Sequence, residues 1–351
     1  MMSSVVVNAE SFVRMRARRT RATGMRLGHA LCVGVAFLWT IACEPGAPDP
    51  SSNVPSGTWS VVAVDVDGNE VGVALATCVE TGFTVASSRV GGSEDSAAGM
   101  VYRVWTDLPG SEIELARLLP GHGAVAAQAY VDPGNSSRID RAEARLLDGA
   151  SAQDAIVAAI SADPFAQDRQ YGVAALLSKA ANFTGSETLA WSGAASGQFV
   201  SVQGNILVGP EVVGAGLEAF HQAMEQPDGA LSDGLVAALE AGAMQGGDER
   251  CPREQAALGA FAAVARRGDR GEALSLWLTV PPQRLGGQNP VTLLRQAYDE
   301  GSPPFVEDDG IKSDRAHPAL WGLTALVIPL AGLVFWTARR RIGWTSPERG
   351  T

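Results

Sequence analysis

Two apolar runs, each beside a cluster of arginines, bracket this chain and leave only the stretch between them to fold as a body. The first runs from Leu27 to Ala42 and follows Arg14, Arg16, Arg18, Arg19, Arg21 and Arg26. A basic leader before an apolar core of that length has the form of an export signal. The second lies within residues 318–338, carries no charge through its apolar core, and is followed at once by Arg339, Arg340 and Arg341. A spanning helix needs about 20 apolar residues, and Pro329 is tolerable within one. Trp321 and Trp336 stand at the two interfaces, and the arginines place the tail on the cytoplasmic side with the body outside.

These signals divide the chain. Residues 1–43 read as the export segment and 44–57 as a linker rich in Pro, Ser and Gly. Residues 58–300 are the body, 301–317 a polar acidic linker, 318–338 a transmembrane helix and 339–351 a basic cytoplasmic tail. The export segment closes on Thr40-Ile41-Ala42-Cys43, which resembles a lipoprotein processing site. Lipidation of Cys43, ordinary cleavage and an uncleaved anchor all remain open.

Composition narrows the partners. The chain has 351 residues, 46% of them hydrophobic, and a net charge of −11, so nucleic acid is an unsuitable partner. The four histidines are scattered and no Cys-x-x-Cys pair occurs, so no metal or cofactor is expected. Two cysteines, Cys78 and Cys251, belong to the body. In an oxidising compartment they form one disulfide; otherwise they are two separate thiols.

Within the body, β-branched runs from Thr58 to Asp65 and from Val71 to Thr77 predict a hairpin, with further strands over Gly123 to Val131 and Gln170 to Leu177. Helical periodicity covers Arg138 to Asp148 and Ala152 to Ser161, with Ser151 as an N-cap. Phe199 to Leu207 reads as an apolar run with a turn at Gln203-Gly204-Asn205. Helices follow from Pro210 through Met224 and over Leu231 to Ala241, then a sharp loop at Gly246-Gly247-Asp248. Late strands at Ala256 to Val264 and Ala273 to Val280 and a helix from Pro290 to Asp299 complete an α+β layered domain. Gly214-Ala215-Gly216-Leu217-Glu218-Ala219 fits a dinucleotide fingerprint but lies inside a helical run, so it reads as small-residue packing.

Several of these segments resemble the domain of unknown function 1028, a group within the N-terminal-nucleophile hydrolase-like superfamily. They are Thr58-Trp59-Ser60-Val61-Val62-Ala63 with Val71-Gly72-Val73-Ala74, then Gly123 to Tyr130, Arg169 to Val173 and Phe183-Thr184-Gly185. Gln203 to Val213, Gly246 to Arg250 and Gln255 to Leu258 continue the series. The resemblance spans roughly residues 57–300 and implies a four-layer αββα sandwich with no settled substrate. Against the family's pattern, Thr58 is internal, and residues 81–110 read as an insert beside the expected active-site rim.

The resemblance makes Thr58 the candidate nucleophile. A threonine hydroxyl is a weak nucleophile, but an N-terminal threonine carries its own base, an α-amine with a pKa of about 8. That chemistry requires cleavage of the Gly57–Thr58 bond. Asn205 and the amides of the 203–205 turn are candidate oxyanion donors, Asp248 a candidate orienting group, and Gln128 and Gly204 candidate substrate contacts. Two functions follow. One is a membrane-tethered amide hydrolase acting on a small-molecule or peptide amide. The other is a non-catalytic, membrane-anchored binding module in which Thr58 merely starts an edge strand.

Overall fold

The computed structural model describes residues 54–89, 100–108, 111–269 and 274–301. The export segment, Cys43 and the predicted membrane run lie outside these residues. Among the described residues no helix is long and apolar enough to cross a membrane.

The described chain is a mixed α+β domain with two antiparallel sheets. Strand β1 (Val54–Ser56) is followed directly by β2 (Thr58–Asp65) and β3 (Glu70–Thr77). Next come β4 (Phe83–Arg89), β5 (Met100–Leu108), β6 (Ser111–Leu119) and β7 (Gly123–Val131). Helices α1 (Asn135–Leu147) and α2 (Ala152–Ile160) lead to β8 (Arg169–Ala175), β9 (Ser178–Thr184), β10 (Gly193–Ser196) and β11 (Val200–Asn205). The chain continues through α3 (Glu211–Met224), α4 (Leu231–Met244), β12 (Gly259–Arg266), β13 (Leu276–Val280) and α5 (Pro290–Asp299).

The first sheet runs β4-β5-β6-β7-β8-β9, with β1 paired to β7; the second runs β10-β11-β2-β3-β12-β13. Period-two alternation decides which face each strand shows. On β2, Val62 and Val64 join a core with Tyr102, Leu118 and Ala124 of the other sheet. Trp59, Val61 and Ala63, one step out of phase, pack instead with Leu235, Leu239, Val212 and Leu294 of the later helices. A third core sets Val125, Tyr171 and Val173 against Ile139 and Ile156 of α1 and α2. Helices thus cover the outer face of each sheet.

Local signals explain several boundaries. Ser151 and Asp154 form a reciprocal capping box at the start of α2. Asn289 caps α5 by accepting from the Val291 amide, with Pro290 in the first turn. A buried ion cluster ties β7 and β8 to α1. Asp132 receives Arg138 at 2.9 Å and Arg169 at 2.6 Å, while Arg169 also reaches Asp163 at 3.0 Å.

Two expectations change. The linker read over residues 44–57 contains β1, whose backbone pairs with β7 in register Val54↔Val131, Pro55↔Tyr130 and Ser56↔Ala129. A three-residue strand carries no periodicity of its own, so composition alone reads it as linker. The segment read as an insert includes β4 and β5, which extend the first sheet to its edge. Gln203-Gly204-Asn205 is the end of β11 rather than a turn, with Asn205 opposite Thr58.

Candidate functional site

Thr58 opens β2, which lies between β11 and β3 in the interior of its sheet. It is therefore not an edge-strand residue, and it is only 2% exposed. By the alternation of β2, Thr58 and Ser60 face the other sheet, in phase with Val62. The same parity brings Thr77 of β3, Ser201, Gln203 and Asn205 of β11, Gln128 of β7 and Gln170 of β8 to the inter-sheet space. One end of an otherwise apolar core is therefore polar.

Buried amides are costly unless each finds a partner, and here they satisfy one another. Ser60 Oγ donates to Gln128 Oε1 at 2.6 Å and receives Gln203 Nε2 at 2.7 Å. Gln128 Nε2 donates to Gln170 Oε1 at 2.7 Å and to the Thr58 carbonyl at 3.2 Å. Gln170 Nε2 donates to the Gly204 carbonyl at 2.8 Å, and Asn205 Nδ2 donates to Gln170 Oε1 at 3.2 Å. Gly172 makes room for this: a Cβ there would stand 2.3 Å from Gln203 Oε1.

Gly57 lies at the rim of the network, where the chain leaves β1 in one sheet and enters β2 in the other. Its carbonyl oxygen accepts from the Thr77 hydroxyl at 2.5 Å and from Arg250 Nη2 at 3.0 Å. Thr58 Oγ1 in turn donates to Thr77 Oγ1 at 3.3 Å. Arg250 is held by Asp248 through Nε at 3.0 Å and Nη2 at 2.7 Å. Asp248 is fully buried and also accepts from the Cys78 amide at 3.2 Å. Cys78 and Cys251 are joined in a disulfide, so the strand carrying Thr77 is covalently tied to the loop carrying Arg250.

Residues 110–274 match DUF1028, a family of unknown function. This bears out the resemblance to the domain of unknown function 1028 drawn from the sequence. The DUF1028 segment includes Gln128, Gln170, Gly204, Asn205, Asp248 and Arg250, while Thr58 and Thr77 precede it. A protein from Silicibacter pomeroyi, known from a crystal structure and carrying the same DUF1028 label, is 24% identical. Its alignment covers 70% of this chain and 89% of its own, with a TM-score of 0.49. No curated protein matches the chain.

The other four residues singled out in the sequence for catalysis or substrate contact, Asn205, Asp248, Gln128 and Gly204, stand around Thr58 and Gly57, but their parts differ from expectation. Asn205 donates to Gln170, and the backbone of residues 203–205 is paired with β2 and β10. Gly204 contributes its carbonyl as an acceptor. The donors on the Gly57 carbonyl are Thr77 and Arg250, and neither was singled out. Alternation was the available signal: Thr58-x-Ser60, Ser201-x-Gln203-x-Asn205 and Gln170-x-Gly172 all place polar or small groups on one face of buried strands. Among the described residues no cluster of His, Cys, Asp or Glu could hold a metal ion.

Proposed function

We propose that this chain is an amide hydrolase of the N-terminal-nucleophile type, activated by cleavage of its own Gly57–Thr58 bond. One observation carries the reading: the Gly57 carbonyl is bracketed by two donors while the next residue's hydroxyl stands one hydrogen bond away through Thr77. A carbonyl in a plain strand-to-strand connection does not require a guanidinium and a threonine hydroxyl together.

The step balances as follows. Thr58 Oγ attacks the Gly57 carbonyl carbon and passes its proton to Thr77, whose own proton moves toward the developing oxyanion. Arg250 adds positive charge at that oxygen. Collapse breaks the carbon–nitrogen bond and returns a proton to the leaving nitrogen, giving an ester and a free Thr58 amine. Water hydrolyses the ester. The amine then serves as base for Thr58 Oγ against an external amide. Departure of the residues before Thr58 also answers the main objection, that a residue only 2% exposed cannot meet a substrate.

The wider setting belongs to the same proposal. Residues 318–338 hold the body at a membrane on its extracytoplasmic side, and the Cys78–Cys251 bond supports an oxidising compartment. The test is intact mass and N-terminal sequencing of protein from native membranes. A chain beginning at Thr58 is expected, with Thr58→Ala remaining joined to Gly57. A wild-type chain that keeps Gly57 joined to Thr58 would sink the mechanism and leave a non-catalytic, membrane-anchored binding module.

A further inference from the structure

Resting on that reading, we infer the substrate class: extended peptides with glycine on the acyl side of the scissile bond, bound where residues 54–57 now lie. The preceding segment shows how an acyl group is received. Its backbone forms β1 against β7 at Ala129, Tyr130 and Val131, a main-chain pairing that any extended peptide can reproduce. Its last carbonyl meets the Thr77 and Arg250 donors, which an external substrate attacked by the same Oγ must also reach.

The acyl residue itself is selected by space. A Cβ on Gly57 would stand 2.5 Å from Arg250 Nη2 and 2.5 Å from Asp248 Oδ2. A flexible arginine could ordinarily yield, but this one is fixed at two nitrogens by Asp248. Asp248 is itself fully buried and held by the Cys78 amide. The disulfide beside it ties down both ends of the arrangement. Glycine is therefore the residue the acyl position accepts without rearranging the carbonyl donors.

In the reaction Thr58 Oγ forms an ester with the glycyl carbonyl, the carbon–nitrogen bond breaks, and the amine leaves with the proton carried by the Thr58 amine. Water then cleaves the ester to a peptide ending in a glycine carboxylate and restores Thr58.

The protein as purified from native membranes is incubated with acetyl-Val-Pro-Ser-Gly-aminomethylcoumarin, the same peptide ending in Ala, and a γ-glutamyl anilide. Hydrogen exchange at Ala129 to Val131 is followed with the peptide Val-Pro-Ser-Gly. The glycyl substrate is expected to exceed the alanyl one in kcat/KM by about 10- to 200-fold, the range for one misfitting methyl. The product peptide is expected to protect the β7 amides. Cleavage of the anilide without glycyl preference, or no protection of β7, overturns this inference and leaves the amide hydrolase standing. A chain lacking a free Thr58 overturns both.

Discussion

Thr77 donates its hydroxyl to the Gly57 carbonyl at 2.5 Å, so the end of β3 holds the residue that precedes the candidate nucleophile. Replacing it with valine keeps the shape and removes the donor. Thr77→Val is expected to slow the appearance of a Thr58 terminus by about 10²- to 10³-fold, the cost of deleting one oxyanion donor. Time-resolved intact mass reads the rate, and circular dichroism checks that the fold survives. An unchanged rate would remove Thr77 from the mechanism.

Asp248 and Arg250 form a pair with unequal burial. The carboxylate is fully buried, whereas the arginine side chain is 33% exposed. Arg250→Ala strands a charge inside the protein and should cost about 3 kcal/mol or more. Asp248→Asn leaves a charge that can turn to water and should cost nearer 1 kcal/mol. Urea unfolding of both variants, with the disulfide intact, checks the order. The reverse order would contradict the assigned burial.

The Cys78–Cys251 bond closes a loop across a sequence separation of 173. Cross-links of that span stabilise chiefly by restricting the unfolded chain, and their removal costs roughly 2–5 kcal/mol. Reductant, or a Cys78→Ser/Cys251→Ser double variant, is expected to lower the melting temperature and slow Gly57–Thr58 cleavage together. Slowed cleavage with an unchanged melting temperature would confine the bond's role to the site.

Asp132 supplies a pH prediction. Burial pushes its carboxyl up, but Arg138, Arg169 and the Gly134 amide outweigh burial and hold it below the usual carboxylate range. A depressed folded pKa means stability that is full above the unfolded value of about 3.9 and is lost as pH falls through the folded one. Asp132→Asn is expected to destabilise the protein at neutral pH by about 3–5 kcal/mol. That gap should narrow as the wild type is acidified through this window. Denaturation midpoints measured from neutral pH downward check the convergence; a constant gap would show that the charge plays no part.

Much of the fold was legible because a sustained helical period or a continuous apolar run announces itself. The helix predicted from Pro290 to Asp299 has those bounds, and the strand predicted over Gly123 to Val131 is β7. Short or mixed segments did not. β1 is three residues long, and β9 alternates too weakly between polar and apolar positions to stand out. At the site, the resemblance drew attention to Thr58, Asn205, Asp248, Gln128 and Gly204, and the fold gathers them. Thr77 closes an apolar strand with nothing local to mark it, and Arg250, though it ends the Gly246 to Arg250 segment, has no visible partner in the sequence. Arg250 reaches Gly57 across a sequence separation of 193, and only the folded path brings them together.

The hydrogen bonds shared by Ser60, Gln128, Gln170 and Gln203 have a mechanical consequence. An apolar interface between two sheets can slide, because methyl groups are nearly interchangeable along its length. Displacing one sheet by a single residue here would flip or strand several buried amides at once, at about 1–3 kcal/mol each. These side chains work as an alignment key: they set the stagger of the two sheets, and with it the height of Thr58 relative to Gln128 and Gln170 across the gap.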